Sequence, residues 1–351
     1  MRYNLFPEEG TFYKANLHSH TNISDGKLSP VEMRDLYRDH GYSILAITDH
    51  EIMMDHTDLS QPGFLMINGY EIYLRERQDA GRIAKNCHIN LIAKTPTELR
   101  QIAVDPKYLH YIEKNGIKME DIPRVGEICD RHYCARDINA IIKTATENGY
   151  LVSYNHPSWS LETVEEFGKY EGVYAMEVVN YGSSLEGFPE NDAWAYDQML
   201  RLGKNIYCLA NDDNHNKFPV GHPACDSFGG FNMIKARELT YEAVIEALEK
   251  GWFYASMGPI IEEMYIENNE LHVKCSPATS ISARMLGRAT TRGTAFAPVG
   301  ETITEGVIPL QKADTYIRVE VTDAHGKKAF SHAYELGDMV KRKSVRSFGS
   351  F

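Results

Sequence analysis

The stretch 16–25 reads NLHSHTNISD and places His18, His20 and Asp25 around the end of a β-strand predicted over residues 11–20. Residues two positions apart on a strand point to the same side, so the imidazoles of His18 and His20 can reach one metal ion. Such a pair often occurs by chance. Its significance comes from similar residues that recur along the chain.

Nine potential metal ligands occur in order, most of them where a predicted strand ends. Besides the three above, they are His50, Glu71, His88, His156, Asp213 and His215. A ligand set dispersed over about 200 residues converges if the strands line up around one rim, as they do in a parallel α/β barrel. Imidazole and carboxylate ligands together suit zinc, manganese or iron. The pattern therefore predicts such a barrel and a centre of two or more ions, two of which the Glu71 carboxylate can bridge.

Each candidate also has a purely structural interpretation. His156 precedes a proline and could be a turn residue, His88 could be a core histidine, and Asp25 in SDG is a natural turn residue. Taken together, five strand ends that carry His, Asp or Glu exceed what loop composition predicts. Asp49 and Asp212 adjoin candidate ligands, and we expect their carboxylates to orient the ligating imidazoles.

Short apolar runs alternate with helical patterns from about residue 12 to residue 236, as in βα units. Several runs are almost continuously apolar, which is typical of parallel strands buried on both faces. In the first helix, Ser29 is the expected N-cap and Gly41 the expected end. The predicted strands cover residues 11–20, 43–50, 63–72, 87–94, 151–157, 174–180, 205–212 and 229–236, and the predicted helices cover residues 29–42, 136–150, 190–203 and 240–251.

Two segments interrupt this alternation. Residues 94–137 form a connection longer than an ordinary βα loop, so we expect a lid or an inserted helical layer that determines specificity. From residue 258 the pattern changes to alternating strands, with hairpin turns predicted at ENNE (267–270) and DAHGKK (323–328). The chain is therefore predicted to contain a barrel over residues 1–257 and a small antiparallel β domain over residues 258–351.

Composition argues against several classes of partner. The 351 residues carry a formal net charge of −12 without a Lys/Arg-rich run, which argues against duplex nucleic acid. The sequence has no apolar stretch approaching about 18 residues and no secretory signal at its start, so we expect no membrane segment and a cytoplasmic location. The six cysteines are irregularly spaced and are expected to be reduced.

In these motifs the chain resembles the polymerase and histidinol phosphatase (PHP) family of metal-dependent phosphoesterases. HSHT, TDH, GYEI, CHINLI, NHP and DNH stand in the same order as the family's motifs, and the resemblance covers about residues 11–257. It implies a distorted seven-stranded, TIM-like barrel with two or three metal ions. It also implies that one ion is held by His18, His20, Glu71 and Asp213, a second by Glu71, His88 and His156, and a third by Asp25, His50 and His215.

The C-terminal stretches 251–281 and 315–336 resemble the CehA/McbA-type metallohydrolases, a branch of the same family that is associated with ester and carbamate cleavage as well as phosphoesters. The sequence departs from that branch at SHAYEL (331–336), where an Asn-Pro pair is expected. Asp25 stands where some relatives have His, and in this it resembles a branch that acts on small nucleotides or phosphodiesters.

The leading hypothesis is hydrolysis of a small-molecule phosphomonoester or phosphodiester, nucleotide-like ones included, by a metal-activated hydroxide. His215 or Asp213 would pass a proton to the leaving oxygen. Asn180 and Lys217 are candidate substrate contacts. Further candidates for the pocket are Tyr70, Tyr73, Trp159 and Tyr181, and the cations Arg75, Arg77, Arg82, Arg124, Arg131 and Arg136.

Two alternative functions remain open at the level of sequence. The same metal site could serve a carboxyl ester, carbamate or amide hydrolase, because its ligands do not distinguish phosphorus from carbonyl carbon. A non-catalytic metal-binding domain is the other alternative. A small-molecule substrate is the expected partner, and the sequence does not decide whether the protein forms a homo-oligomer.

Overall fold

The computed structural model describes residues 1–76, 84–285, 291–310 and 315–340. Contacts between residues divide the chain into two compact units. One unit is Glu9–Met257, and the other combines Met1–Glu8 with Gly258–Phe351. Within the described ranges, we find no helix that has both the length and the apolar character needed to cross a membrane.

The described residues contain twenty strands and seven α-helices. The strands are β1 (Arg2–Asn4), β2 (Thr11–Asn16), β3 (Ile44–Ile47), β4 (Leu65–Arg75), β5 (Asn86–Ala93), β6 (Gln101–Ile102), β7 (Arg124–Val125), β8 (Tyr150–Tyr154), β9 (Ala175–Asn180), β10 (Tyr207–Asn211), β11 (Phe231–Ala236), β12 (Phe253–Ser256), β13 (Ile261–Glu267), β14 (Glu270–Ala278), β15 (Ser280–Met285), β16 (Thr294–Phe296), β17 (Ile303–Pro309), β18 (Tyr316–Thr322), β19 (Lys328–Phe330) and β20 (Tyr334–Glu335). The helices are α1 (Pro30–Asp39), α2 (His110–Lys114), α3 (Ala135–Glu147), α4 (Val164–Phe167), α5 (Tyr181–Leu185), α6 (Ala193–Arg201) and α7 (Tyr241–Glu249).

The unit Glu9–Met257 is built on a mixed sheet, which confirms the α/β class. Its strand order is β10-β9-β8-β5-β4-β3-β2-β11-β12. Strands β2, β3 and β4 are parallel to one another, as are β8, β9 and β10, but β5 is antiparallel to both of its neighbours. The prediction of an all-parallel sheet is therefore wrong at β5, and it is also wrong at β11, which runs antiparallel to β2. The short connection from β4 to β5 explains the difference at β5, because a parallel pair needs a crossover of a dozen or more residues.

The segments that follow β2 and β10 are joined through their main chains. Ser19 and Asn214 form a parallel bridge, the Asp213 amide donates to the His18 carbonyl at 3.0 Å, and the His20 amide donates to the Asn214 carbonyl at 3.0 Å. The seven strands from β2 to β10 thus form a continuous series whose first and last members are linked beyond their ends. A seven-stranded barrel requires such a link, and the closed barrel itself stays a prediction.

The helices of this unit follow the predicted pattern. Ser29 caps α1 by accepting a hydrogen bond from the Glu32 amide, and the Glu32 carboxylate accepts one from the Ser29 amide. Gly41 follows the helix with a φ of +77°, which favours glycine. The helix α7 buries Val244 and Leu248 against the strands. Helices α1, α3, α6 and α7 confirm the four that the sequence predicts.

Residues 94–134, here called the insertion, form a small packed layer. The insertion contains the parallel pair of β6 and β7 and the short helix α2. Its buried apolar side chains Val104, Leu109, Ile112 and Ile122 cluster with Ile52, which lies shortly after β3. The insertion is therefore held to the sheet by a core of its own.

The unit that contains Gly258–Phe351 is antiparallel in its described strands. Strands β1, β13, β14 and β17 form one sheet in that order, while β18 pairs with β15, β19 and β20, and β15 also pairs with β16. Asn268 and Asn269 connect β13 to β14 with φ values of +52° and +64°. Both values fit a type I′ hairpin turn. The antiparallel strands and the turn predicted at ENNE are confirmed, as is the predicted turn between β18 and β19.

Candidate metal centre

Most candidate ligands lie just after the carboxyl ends of strands. His18 and His20 follow β2, His50 follows β3, His156 follows β8, and Asp213 follows β10. The strand predicted over residues 11–20 in fact ends at Asn16, so both N-terminal histidines lie in the segment beyond it.

Glu71 and His88 lie within strands, although Glu71 was predicted at the end of its strand. Glu71 lies within β4, which continues to Arg75, and His88 lies near the start of β5. Because β5 runs antiparallel to β4, the first half of β5 lies beside the second half of β4, and His88 pairs with Tyr73 across the strands. The start of β5 therefore reaches the same rim as the ends of the parallel strands.

The first ligand group combines His18, His20 and Asp213. The Asp213 Oδ1 atom lies 3.1 Å from His18 Nε2 and 2.9 Å from His20 Nε2, and these two nitrogens lie 3.1 Å apart. Glu71 Oε1 lies 3.3 Å from His18 Nε2. The three side chains each offer an atom within 4.8 Å of the other two, which is close enough for one ion. Three of the four residues that the family resemblance implies for the first ion therefore lie together, with Glu71 beside His18, and their assignment to an ion stays a prediction.

The second group is centred on the carboxylate of Glu71. Its Oε1 atom lies 3.1 Å from His88 Nδ1 and 3.5 Å from His156 Nε2, and its Oε2 atom lies 2.8 Å from His50 Nδ1. His156 Nε2 also lies 3.7 Å from Asp213 Oδ2. The structure therefore adds His50 to the Glu71 and His88 group, whereas the family resemblance places His50 only with Asp25 and His215.

The third group contains Asp25, His50 and His215, together with His20. Asp25 Oδ1 lies 3.3 Å from His215 Nε2 and 3.8 Å from His50 Nε2. The His20 ring stacks on those of His50 and His215, with centroids 4.3 and 4.4 Å apart. All four side chains offer an atom within 4.8 Å of one another.

Buried polar atoms without hydrogen bonds show that cations fit these groups. Among the described residues, Nδ1 of His20, His50 and His88 and Oε2 of Glu71 are buried and have no hydrogen-bond partner. His50 and His88 are close to the Glu71 carboxylate but lack the geometry of a hydrogen bond. A buried polar atom left unpaired costs on the order of 1–3 kcal/mol. Divalent ions among these atoms would satisfy all four, and two or three ions have enough ligands.

An amide beside His88 supports the same conclusion. Asn86 Nδ2 lies 2.7 Å from His88 Nε2, while Asn86 Oδ1 is buried without a partner in the described part of the chain. The two orientations of an amide are assigned from its hydrogen bonds and are not observed directly. The reversed amide would accept a hydrogen bond from Nε2–H of His88, and the lone pair of Nδ1 would then be available to an ion.

Electrostatics keep the two central carboxylates ionised. Burial disfavours the charge of Glu71, but His88, His18 and His50 outweigh it and hold the pKa of Glu71 well below its ordinary value. His18 and His20 act in the same way on the pKa of Asp213. Burial also lowers the pKa of His88 to about 4, so that its imidazole is neutral at physiological pH. Ions bind ionised carboxylates and neutral imidazoles. At His18 and His50 burial lowers the pKa, but the nearby carboxylates outweigh burial and raise the pKa, to about 9 for His50, so an ion that binds there would displace protons.

Glu177 is a functional residue that the sequence analysis missed. It is fully buried on β9, and its Oε1 atom accepts hydrogen bonds from His18 Nδ1 at 2.8 Å and from Asn211 Nδ2 at 2.9 Å. Its Oε2 atom accepts hydrogen bonds from the His156 amide and from Asn180 Nδ2. The bond to Nδ1 turns the Nε2 atom of His18 towards Asp213 and Glu71, as carboxylates do for metal-binding histidines.

Asp49 and Asp212 do not orient imidazoles through the bonds that the structure shows. Asp49 accepts hydrogen bonds from the amides and hydroxyls of Thr21 and Ser24, and so holds the loop that leads to Asp25. Asp212 accepts hydrogen bonds from the Tyr37 hydroxyl and from the amides of residues 228–230. Both carboxylates thus fix loops around the site, whereas the sequence predicted that they would contact the ligating imidazoles directly.

Asn180 also differs from its predicted role. The residue is 6% exposed, and its Nδ2 atom donates to Asp213 Oδ2 at 3.1 Å and to Glu177. Its Oδ1 atom accepts hydrogen bonds from the amide and hydroxyl of Ser183. Because both ends of the amide are engaged inside the protein, we assign Asn180 to positioning Asp213 instead of contacting substrate.

A cavity of about 410 Å³ opens onto the candidate ligands. Its lining includes the cations Arg75 and Lys217, and the aromatic side chains Tyr73, Tyr111, Trp159 and Phe218. Lys217 therefore lines the cavity, and its contact with a substrate stays a prediction. Tyr70 is instead buried in the core, where its hydroxyl accepts a hydrogen bond from the Ile102 amide.

The other predicted cations are engaged elsewhere or are not described. Arg131 is buried and pairs with Glu51 at 2.9 Å. Arg124 donates to main-chain carbonyls within the insertion, and Arg136 pairs with Asp137. Arg77 and Arg82 lie outside the described residues.

Comparisons with known proteins find only distant similarities. No family model matches the chain, and no curated protein sequence matches it. Among solved structures, the chain is similar to a two-domain protein of Bacteroides vulgatus, described as containing a predicted PHP-like metal-dependent phosphoesterase. The sequence identity is 17% and the TM-score is 0.43, and the match covers 95% of this chain and 97% of that one. An amidohydrolase of Chromobacterium violaceum with bound sulfate and no metal is similar with 17% identity and a TM-score of 0.37, over 60% of this chain and 93% of that one.

These two likenesses are too weak to transfer a fold or an activity to this chain. The functional assignment therefore rests on the residues of the site and on the chemistry that they allow.

Proposed function

We propose that the protein is a metal-dependent hydrolase of the PHP type that cleaves a small-molecule phosphoester with two or three divalent ions. The observation that carries this proposal is the convergence of nine His, Asp and Glu side chains, most of them in three groups that could each hold an ion. A structural zinc site is a closed set of four ligands. Here six of the nine side chains line an open cavity, where a substrate can reach the ions.

The protein supplies a rigid, ionised set of ligands. When bound, divalent ions supply Lewis acidity and lower the pKa of water towards neutrality. Glu71 is held in place by a hydrogen bond of 2.7 Å from Asn155 Nδ2, and Asp213 is held by Asn180. Because the pKa values of both carboxylates are well below the ordinary range, both side chains are ready to bind ions at neutral pH.

Two cations support a phosphoester over a carbonyl substrate, although the cavity lining also contains the carboxylates of Asp25, Glu186, Asp213 and Asp226. The proposed ions would bind Asp25 and Asp213, and Asp226 accepts hydrogen bonds from the amides of His215 and Asn216. Arg75 and Lys217 line the same cavity as the candidate ligands. Positive groups placed in this way can neutralise charge that builds up on the phosphoryl oxygens in the transition state. A neutral ester or amide gains less from two such cations. The resemblance of the C-terminal residues to CehA/McbA-type hydrolases makes carboxyl esters and carbamates the second class of substrate to test.

His215 is the proposed proton donor to the leaving oxygen. Its Nδ1 atom lies 3.0 Å from the Asp213 carbonyl, so this nitrogen carries a hydrogen and donates it. The Nε2 atom is then the one that faces Asp25 and the cavity. One nitrogen can hold a proton or an ion but not both. His215 therefore serves as the donor when two ions are bound and as a ligand when three are bound. Asp213, the other residue predicted for this role, is ionised and so has no proton to donate to the leaving oxygen.

The experiment that tests this proposal compares substrates. Initial rates would be measured for the metal-loaded protein on p-nitrophenyl phosphate, bis-p-nitrophenyl phosphate and p-nitrophenyl acetate, beside a His20→Ala variant. We expect the protein to turn over a phosphoester and the variant to have lost this activity. The rates on the two phosphoesters compare monoesterase with diesterase activity. Activity on the acetate alone would move the assignment to carboxyl esters. Failure to turn over any of the three by protein with bound metal would favour the non-catalytic alternative.

A further inference from the structure

The insertion contacts the loop that carries Asp25. Lys114 Nζ, at the end of α2, donates hydrogen bonds to the carbonyls of Asn22 and Ser24 at 2.9 and 2.6 Å. Asn115 Nδ2 donates to the carbonyl of Ile23 at 2.8 Å. Three consecutive carbonyls of this loop are therefore bound by two adjacent side chains of the insertion.

The insertion also contacts the segment that follows His50. Arg131 pairs with the Glu51 carboxylate at 2.9 Å, and both side chains are buried. Gln101 donates to the Glu51 carbonyl and accepts a hydrogen bond from the Met53 amide. Glu51 has a φ of +58°, a conformation that an L-residue rarely adopts without support from its surroundings.

Apolar packing connects these two attachments. Ile112 of α2 is buried in the same cluster as Ile52, and the partly buried Ile23 packs against that cluster. The Tyr111 ring, also on α2, stacks on the His50 ring with centroids 6.0 Å apart and an angle of 20° between the planes. One face of the insertion thus rests on both loops that supply Asp25 and His50.

The ligands of the third group depend on support more than the others do. His18 and Glu71 are fully buried and are held by Glu177 and Asn155. The Asp25 side chain is 36% exposed and belongs to a loop outside any strand. Asp49 holds this loop from the inside, and the insertion holds it from the outside.

We infer that the insertion sets the affinity of the ion site formed by Asp25, His50 and His215, with Lys114 and Asn115 as its positioning residues. This inference rests on the proposed metal centre and adds a means by which the chain controls how many ions it holds. Occupancy of this site decides whether His215 Nε2 holds an ion or a proton. The insertion therefore affects the chemistry of the site without contacting the substrate through these two residues.

The test counts bound ions in the full-length protein. Metal-free wild type, the double variant Lys114→Met/Asn115→Ala, and the control Lys118→Met would be dialysed against a series of Mn²⁺ concentrations, and bound manganese would be measured by mass spectrometry. Lys118 is an exposed lysine of the same insertion. A His215→Ala variant identifies the ion that belongs to this site, and circular dichroism confirms that each variant is folded.

We expect the double variant to bind one ion roughly 10-fold more weakly, the magnitude typical when residues that orient metal ligands are removed. Binding of the same ion should be weaker in His215→Ala, and the control should bind all ions as wild type does. The inference would be overturned if the double variant bound every ion with wild-type affinity, or if its affinity for all ions fell equally. It would also be overturned if His215→Ala bound every ion as wild type does. A wild type that binds no ion would instead contradict the proposed function.

Discussion

At the scale of single residues, Glu177 connects several parts of the site. Its two oxygens accept four hydrogen bonds, from His18, Asn211, His156 and Asn180. Two of these residues are candidate ligands, and Asn180 holds a third, Asp213. One buried carboxylate therefore holds three separate segments of the chain together, through hydrogen bonds, around the proposed ions.

The first prediction concerns this carboxylate. In Glu177→Gln, one oxygen is replaced by an NH2 group that cannot accept hydrogen bonds from the donors around it. We expect metal affinity to fall by roughly 10- to 100-fold, because His18 loses the partner that fixes its orientation. Isothermal titration with Zn²⁺ would measure the change. Glu147→Gln, an exposed glutamate on α3, is the matched control, and equal affinity in both variants would argue against the role of Glu177.

The sequence contained the information needed to identify Glu177. The nine candidate ligands were found because each belongs to a recognisable motif, whereas Glu177 stands alone in the run AMEVVN. Glutamate is almost never fully buried unless it is paired. A single glutamate in a strand that is otherwise apolar, and predicted to be buried on both faces, therefore indicates a buried partner. Only the identity of that partner required the structure.

A second buried glutamate gives a prediction about pH and stability. Glu162 accepts hydrogen bonds from the hydroxyls of Tyr133, Tyr154 and Tyr170. Burial raises the pKa of Glu162 above its ordinary value of 4.5, although the three hydroxyls act in the opposite direction. The folded state thus favours the protonated carboxyl. Its contribution to stability is complete below about pH 4.5 and is lost as the pH rises through the raised pKa.

Glu162→Gln removes this dependence because an amide does not ionise. We expect the free energy of unfolding of wild type, relative to the variant, to decrease between pH 4.5 and pH 7. Each unit by which the folded pKa exceeds the unfolded pKa corresponds to about 1.4 kcal/mol. Urea denaturation of the metal-free proteins at both pH values would measure it. If the free energy of unfolding of wild type, relative to the variant, increased with pH, the tyrosine hydroxyls would outweigh burial in their effect on the pKa of Glu162.

At the scale of elements, the orientation of β5 explains how His88 reaches the site. The sequence predicted a strand over residues 87–94 with His88 near its start, and the observed β5 agrees with these bounds but is antiparallel to both of its neighbours. Strand β4 ends at Arg75 and β5 begins at Asn86, and the sequence between them is too short for a crossover helix. The predicted strands, 63–72 and 87–94, left a longer connection that allowed a crossover, so the antiparallel orientation became evident only from the observed ends of β4 and β5. The position of His50 beside Glu71 could not have been predicted from the sequence, because it depends on how the two side chains are oriented.

The hairpin between β13 and β14 offers a prediction about an element. Asn269 has a φ of +64°, which glycine adopts freely and alanine does not. We expect Asn269→Ala to destabilise the protein by about 1 kcal/mol. Asn269→Gly should leave stability unchanged or increase it, because Asn-Gly is favoured in type I′ turns. Thermal unfolding followed by circular dichroism would measure both. A loss of stability in the glycine variant equal to that in the alanine variant would contradict the turn assignment.

At the scale of the whole molecule, the convergence of the ligands was predictable, whereas the details of their support were not. Motif order and spacing predicted the nine residues, and the alternating pattern after residue 258 predicted the antiparallel strands. The hydrogen bonds of Asp49, Asp212 and Asn180 depend on loops that follow no repeating pattern. These residues could be placed near the site from the sequence, but their partners required three-dimensional contacts.

Metal binding should stabilise the folded protein. The candidate ligands come from segments between His18 and His215, so an ion that binds them favours the folded chain over the unfolded one. A ligand at 100 times its dissociation constant adds about 2.7 kcal/mol. We therefore expect the unfolding temperature to rise when Mn²⁺ is added to metal-free protein and to rise less in His20→Ala. An unfolding temperature that does not respond to Mn²⁺, Zn²⁺ or Fe²⁺ would contradict the proposed metal centre.

The central claim is that these nine residues hold ions that hydrolyse a phosphoester. Its most direct test is to reload metal-free protein with increasing Mn²⁺, count the bound ions, and measure phosphate release from p-nitrophenyl phosphate in the same samples. We expect no turnover without metal, turnover that increases as the ions bind, and none in His20→Ala. Turnover by the metal-free protein, or turnover in His20→Ala equal to that of wild type, would contradict it.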